Sequence, residues 1–278
     1  MRGRPMEGLT SDPELGLELQ RARGKLALHI DGDKIKTLYQ AGCAKLMLPK
    51  TYGAMKEAVI LNTAGGITGG DRLDIELRAE ACPLVATTQT AERLYRSSTT
   101  PAKISVDLHA GRGAALHWLP QETIIFDGAE VDRTITLNMS AGSSCLLAET
   151  IVLGRQAMGE SVRNCHFTDN WRLYRDGILF HAEAFRLTED VETIMAAGAG
   201  GNNARLLTTI IFAGDDAERQ YAVIAPLTET CQSACAASCW EDRLVIRLVS
   251  PHPPSGRADI NSLLTALRQA PMPRVWQV

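Results

Sequence analysis

The chain has 278 residues and a mass of 30.2 kDa, enough to bury a large core without a metal or disulfide staple. An apolar fraction of 45% and a charged fraction of 22% exclude a disordered or fibrous protein. Twenty-nine basic against 32 acidic residues lack the basic excess of a dedicated nucleic-acid binder.

Read in chain order, the first sixteen residues, MRGRPMEGLTSDPELG, have two arginines and no apolar run, so they do not read as a signal peptide. Residues 1–14 are expected to form a flexible tail ahead of a single β-rich domain over 15–278. Period-two alternation then dominates. It begins at Lys25–Ile30 and is clearest where Leu73, Ile75 and Leu77, then Ile104, Val106 and Leu108, then Ile135, Leu137 and Met139 alternate with polar residues. Ile75, Val106 and Ile135 recur at about thirty-residue spacing, each leading through a Gly/Ser/Ala-rich turn to a second apolar segment. Such repeats suit a layered stack in which each unit covers its neighbour's apolar edge. Met195–Asn203 reads as a loop or turn. Thr228–Trp240 reads as a small-residue helix with Cys231, Cys235 and Cys239 on one face, and a strand follows at Arg243–Val249. Asp259–Ala270 reads as a second helix, capped by Asp259 and ended by Pro271.

Chemistry is sparse. Leu61–Arg72 has glycines at 65, 66, 69 and 70, but lacks the Lys-Ser/Thr of a phosphate loop and the Gly-x-Gly-x-x-Gly of a dinucleotide site. A close crossing of backbones explains it better. The six histidines show no metal-binding spacing, and no Gly-x-Ser-x-Gly elbow is present. Seven scattered cysteines read as reduced thiols of a cytoplasmic protein, with the trio on the expected helix filling a packing contact. No run of 18 apolar residues exists to span a membrane. Two acids stand out: Glu149 follows the apolar run Cys145–Ala148, and Glu183 sits inside LFHAEAF. Each is either ion-paired, with Arg155 or Arg186 as candidate partners, or lines a wet interior. Asp71 joins them through the glycine loop. Tyr95, Arg96, Trp171 and Tyr174 are candidate interface anchors.

Several segments together resemble one family. They are LNTAGGITGGDRL (61–73), TTQTAERLYRS (87–97), LHWLPQETIIFDGAEVDRTITL (116–137), LLAETIVLGRQAMGE (146–160) and WRLYRDGILFHAE (171–183). In order and spacing they are similar to the UreD (UreH) urease accessory proteins. The resemblance implies a mainly β, helical-solenoid-like stack of strands with two helices in the C-terminal part. It also implies a maturation factor, not an enzyme, that binds urease apoprotein and UreF, reaches the GTPase UreG through UreF, and gives nickel a passage toward the urease active site. No cofactor is expected to bind tightly; nickel is in transit. By this resemblance Asp71, Glu149 and Glu183 are the transient metal-contacting residues. Two other readings stay open: a purely structural adaptor whose acids are salt-bridged, and a hydrolase or isomerase on a β-rich scaffold.

Overall fold

The computed structural model describes residues 20–51, 53–155, 159–188 and 190–277. The expected tail at 1–14 and Met158 of the LGRQAMGE segment lie outside the described residues. Each sequence repeat contributes one strand to each of two facing sheets. Thus β5 (Arg72–Glu80) leads to β6 (Pro83–Thr88), β8 (Ala102–Ala110) to β9 (Ala115–Trp118), and β11 (Glu130–Met139) to β12 (Ser144–Leu153).

The first members lie in a seven-stranded sheet with the order β14 (Ile178–Thr188), β13 (His166–Arg175), β11, β8, β5, β1 (Arg23–Asp31), β2 (Lys34–Gly42). The second members lie in a ten-stranded sheet. Its order is β16 (Ala234–Trp240), β17 (Arg243–Ser250), β15 (Leu206–Ala213), β12, β9, β6, β4 (Lys56–Asn62), β3 (Ala44–Met47). Beside the second half of β12 runs β10 (Thr123–Ile125), and β7 (Glu92–Leu94) pairs with β10.

The parallel pairing is in register with the repeat. Ile75, Val106, Ile135 and Trp171 stand opposite one another on successive strands, so one apolar row becomes one core layer. Alternation survives on the seven-stranded sheet because its outer face meets solvent. On β12 it vanishes: SCLLAETIVL is buried along nearly its whole length. Its odd-numbered residues Cys145, Leu147 and Ile151 face the other sheet, while Leu146 and Ala148 pack toward the helices. A strand covered on both sides reads as a continuous apolar run.

Three α-helices are present among the described residues: α1 (Val191–Ala196), α2 (Ala217–Thr230) and α3 (Pro253–Arg268). None is long and apolar enough to cross a membrane. Two helix expectations need correction. Residues 228–240 are not helical beyond Thr230: Cys231 takes extended backbone at the end of α2, and 234–240 form edge strand β16. The four-residue cysteine spacing is also an even spacing, so Cys235 and Cys239 lie on one strand face, half-buried against the helical layer. The second helix starts earlier, with prolines in its first turn, and Asp259 lies in its interior. The Asp259 carboxylate instead accepts from the amides of Gln232 and Ser233, at 3.2 and 2.9 Å, and ties down the turn between α2 and β16.

The glycine loop is a close backbone crossing. A Cβ on Gly66, whose φ is 151°, would lie 2.3 Å from the Tyr95 ring and 2.7 Å from the Arg93 carbonyl. A Cβ on Gly69 would lie 2.0 Å from Ser97 Oγ. These glycines let the loop pack on the 93–97 segment, and no phosphate chemistry is needed to explain them.

Candidate functional site

Between the sheets, a polar seam interrupts the apolar core. On the ten-stranded sheet the register aligns Glu149 of β12, Thr209 of β15 and Arg247 of β17 in one transverse row. All three lie at the strand parity whose other members, such as Leu147, Leu207 and Val245, belong to the inter-sheet core. Across from them the seven-stranded sheet places Arg133 opposite Asp169, and Trp171 opposite Glu183. A cavity of about 120 Å³ opens between these rows, lined by Glu149, Asp169, Trp171, Glu183, Thr209 and Arg247 among others. A space of that size with polar walls holds several waters.

Arg133 anchors the deep end. Its guanidinium donates to both Asp169 oxygens, from Nε at 2.9 Å and Nη2 at 2.6 Å. Its Nη1 donates to Glu149 Oε2 at 2.6 Å and to Thr123 Oγ1 at 3.1 Å. Trp118 Nε1 donates to the other Glu149 oxygen at 2.7 Å. All three charged groups are about 4% exposed or less. Burial works against the Arg133 charge, but the two carboxylates outweigh it and hold the proton more tightly than usual. Glu149 is pushed above the ordinary carboxylate range, chiefly by burial and further by Asp169, against the pull of Arg133. One guanidinium facing two carboxylates leaves the deep end one negative charge in excess when both acids are ionised.

The outer end differs. Glu183 Oε1 meets His181 Nε2 at 2.9 Å and accepts from Arg247 Nη2, while Arg247 Nη1 donates to Thr209 Oγ1 at 2.5 Å. Burial would raise the Glu183 pKa, but His181 and Arg247 outweigh it and hold the carboxyl below its usual range. Arg247 is half exposed, whereas its Glu183 partner is only 16% exposed, so this end reaches solvent between β14 and β17.

A further acid was not singled out by sequence patterning. Glu92 on β7 stands opposite Thr123 on β10, the same threonine that receives Arg133. Asn62 Nδ2 donates to both Glu92 oxygens at 3.2 Å, and the residue lines a second cavity of about 70 Å³ with Thr88 and Thr90. Burial pushes the Glu92 pKa up to about 7 against the Asn62 hydrogen bonds. In the sequence it looks like an ordinary charge in TAERLYRS; only strand pairing turns it, half-buried, onto the wall of that cavity.

The sequence candidates therefore separate. Glu149 and Glu183 face one cavity, although their arginine partners are Arg133 and Arg247, not Arg155 or Arg186. Asp71 does not line that cavity. Its two oxygens accept from the amides of Ala22 and Thr68, at 2.8 and 2.9 Å, and close the glycine loop. Of the interface candidates, Tyr95 is exposed and packs edge-on against Phe126, and exposed Arg96 pairs with Asp127 at 2.5 Å. Tyr174 is half-buried on the outer sheet face opposite Leu179. Trp171 is 2% exposed and lines the cavity, so it offers no surface to a partner. The correction follows from strand parity, which turns residue 171 inward and 174 outward. Among the described residues, no three His, Cys, Asp or Glu side chains converge as a ready-made metal site.

The model of the family described as UreD urease accessory protein matches residues 20–277. The chain belongs to the UreD urease accessory protein family. It is 41% identical over 265 residues to a urease accessory protein UreD of Rhizobium rhizogenes, covering 93% of this chain and 96% of that relative. Identity to the UreD of Jannaschia sp. is 40% over 260 residues, covering 93% and 97%. The UreD of Paracoccus denitrificans aligns over the full length of both chains at 37%. UreD proteins are accessory factors in urease maturation and are not catalysts, so the seam of this UreD chain calls for a reading other than an active site.

Proposed function

We propose that this UreD chain serves urease maturation as a scaffold with a hydrated interior route for nickel. In this reading it binds urease apoprotein and UreF in the cytoplasm, and meets the GTPase UreG through UreF. The observation that carries the proposal is the placement of Glu149, Asp169 and Glu183 around one cavity of about 120 Å³ that interrupts the apolar core. Carboxylate oxygens with water and hydroxyls nearby bind a divalent ion without the tenacity of thiolate sites, so the ion can leave. Glu92, with Asn62 and Thr88, lines a separate polar cavity beside the glycine loop.

The two arginines favour a second reading, in which the acids are ion-paired supports of a structural adaptor. One experiment separates the two. Glu149→Ala and Glu183→Ala are co-expressed with urease and the other accessory proteins, and both complex recovery and urease nickel content are measured. A passage predicts normal complex recovery with depleted nickel. An adaptor predicts that assembly or folding fails first. Normal nickel content in both variants rejects the passage.

A further inference from the structure

Arg247 occupies an unusual place in the seam. It shares its transverse row with Glu149 and Thr209, on the core side of β17, yet its side chain is 49% exposed. Its guanidinium bridges Thr209 Oγ1 and Glu183 Oε1 across the gap between the two sheets. The other donor to that carboxylate, His181, is itself only 8% exposed in its side chain. Both contacts fall on Oε1, and among the described residues no donor reaches Oε2. Arg133 differs in every respect: it is buried, bidentate to Asp169, and pinned by four hydrogen bonds. One arginine is therefore fixed and the other is held from the solvent side.

We infer that Arg247 is a removable guard cation, which occupies the outer carboxylate of the seam and keeps Glu183 from holding a divalent metal ion until its side chain swings outward. The motion involves one long side chain at a strand position whose backbone pairing on both sides is complete, so no strand must move. Half-exposed ion pairs are held weakly, because solvent screens the attraction and ordering two side chains costs entropy. With the guanidinium withdrawn, Glu183 and the adjacent His181 imidazole, completed by water from solvent, present an oxygen- and nitrogen-donor set of the kind that first-row divalent ions accept. With it in place, the same carboxylate is neutralised. That exchange limits the residence of a cation at the mouth and opposes trapping.

This inference rests on the passage reading but is tested apart from it, by the binding of Ni²⁺ alone to the purified chain. Equilibrium dialysis is run on the wild type, Arg247→Ala, Arg247→Gln, Arg247→Lys and the double variant Arg247→Ala/Glu183→Gln, with folding of each checked by its thermal melt. The guard predicts at least tenfold tighter binding in the Ala and Gln variants. It also predicts wild-type affinity in the Lys variant and loss of the gain in the double variant. Unchanged affinity in both neutral variants, or a gain that survives Glu183→Gln, overturns it. The passage stands or falls separately on the nickel content of urease matured with Glu149→Ala and with Glu183→Ala: a binding gain alongside fully loaded urease in both would keep the guard and reject the passage.

Discussion

Replacing Glu92 by Gln tests whether the interior acids carry the electrostatic cost that their burial implies. In the folded chain Glu92 titrates at about 7, against 4.5 for an ordinary glutamate, and burial is the leading cause. The folded state therefore keeps its proton in a range where the unfolded chain has released it. A carboxyl with a raised folded pKa gives its full stability below pH 4.5 and loses it progressively as the pH rises through about 7. Each pKa unit corresponds to about 1.4 kcal/mol, so the gap amounts to about 3 kcal/mol. Glutamine keeps an acceptor for Asn62 and cannot ionise. Urea unfolding of wild type and Glu92→Gln between pH 4.5 and 8 isolates the effect, because other titrations cancel in the difference. The variant should gain about 3 kcal/mol relative to wild type across that window and nothing further above it. A difference that stays flat with pH would refute the reasoning and place Glu92 in bulk-like water.

Other consequences are equally specific. Arg133→Met removes the counter-charge from buried Glu149 and Asp169 and should cost about 3–5 kcal/mol in urea unfolding at pH 7. Trp118→Phe removes the indole donor to Glu149 while keeping an aromatic in the layer, and should cost about 2 kcal/mol by the same measurement. Asp71→Ala strips the acceptor from the Ala22 and Thr68 amides. It should lower stability by about 1–3 kcal/mol. Urease nickel content should follow that stability loss and recover when the variant is expressed at lower temperature.

Much of the architecture was legible in the sequence because the seven-stranded sheet has one wet face. Leu73, Ile75 and Leu77 alternate visibly with charges, and the recurrence of Ile75, Val106 and Ile135 is the register of the sheet itself. The C-terminal third was harder to read. Ala234–Cys239 alternates only between small residues, with Cys235, Ala237 and Cys239 half-buried and Ala234, Ala236 and Ser238 exposed, so the strand carries almost no hydropathy contrast. Pro226 inside α2 obscured the true helix just before it. In the site, Glu149 and Glu183 were visible as acids in apolar surroundings. Their partners were not, because Arg133 and Arg247 come from strands that only tertiary pairing brings alongside. Glu92 escaped for the same reason, whereas Asp71 looked equivalent to the others although its carboxylate serves the backbone.

The measurement that bears most directly on a nickel passage is urease maturation with Thr209→Leu. Thr209 links Glu149 to Arg247 in the transverse row and lines the cavity of about 120 Å³. Leucine removes the hydroxyl and fills part of that space with hydrocarbon, while leaving every seam carboxylate in place. If metal travels this way, the variant should fold, recover urease and UreF normally, and yield urease with several-fold less nickel. Urease matured to full nickel content by a folded, fully complexed Thr209→Leu protein would contradict a route through the seam.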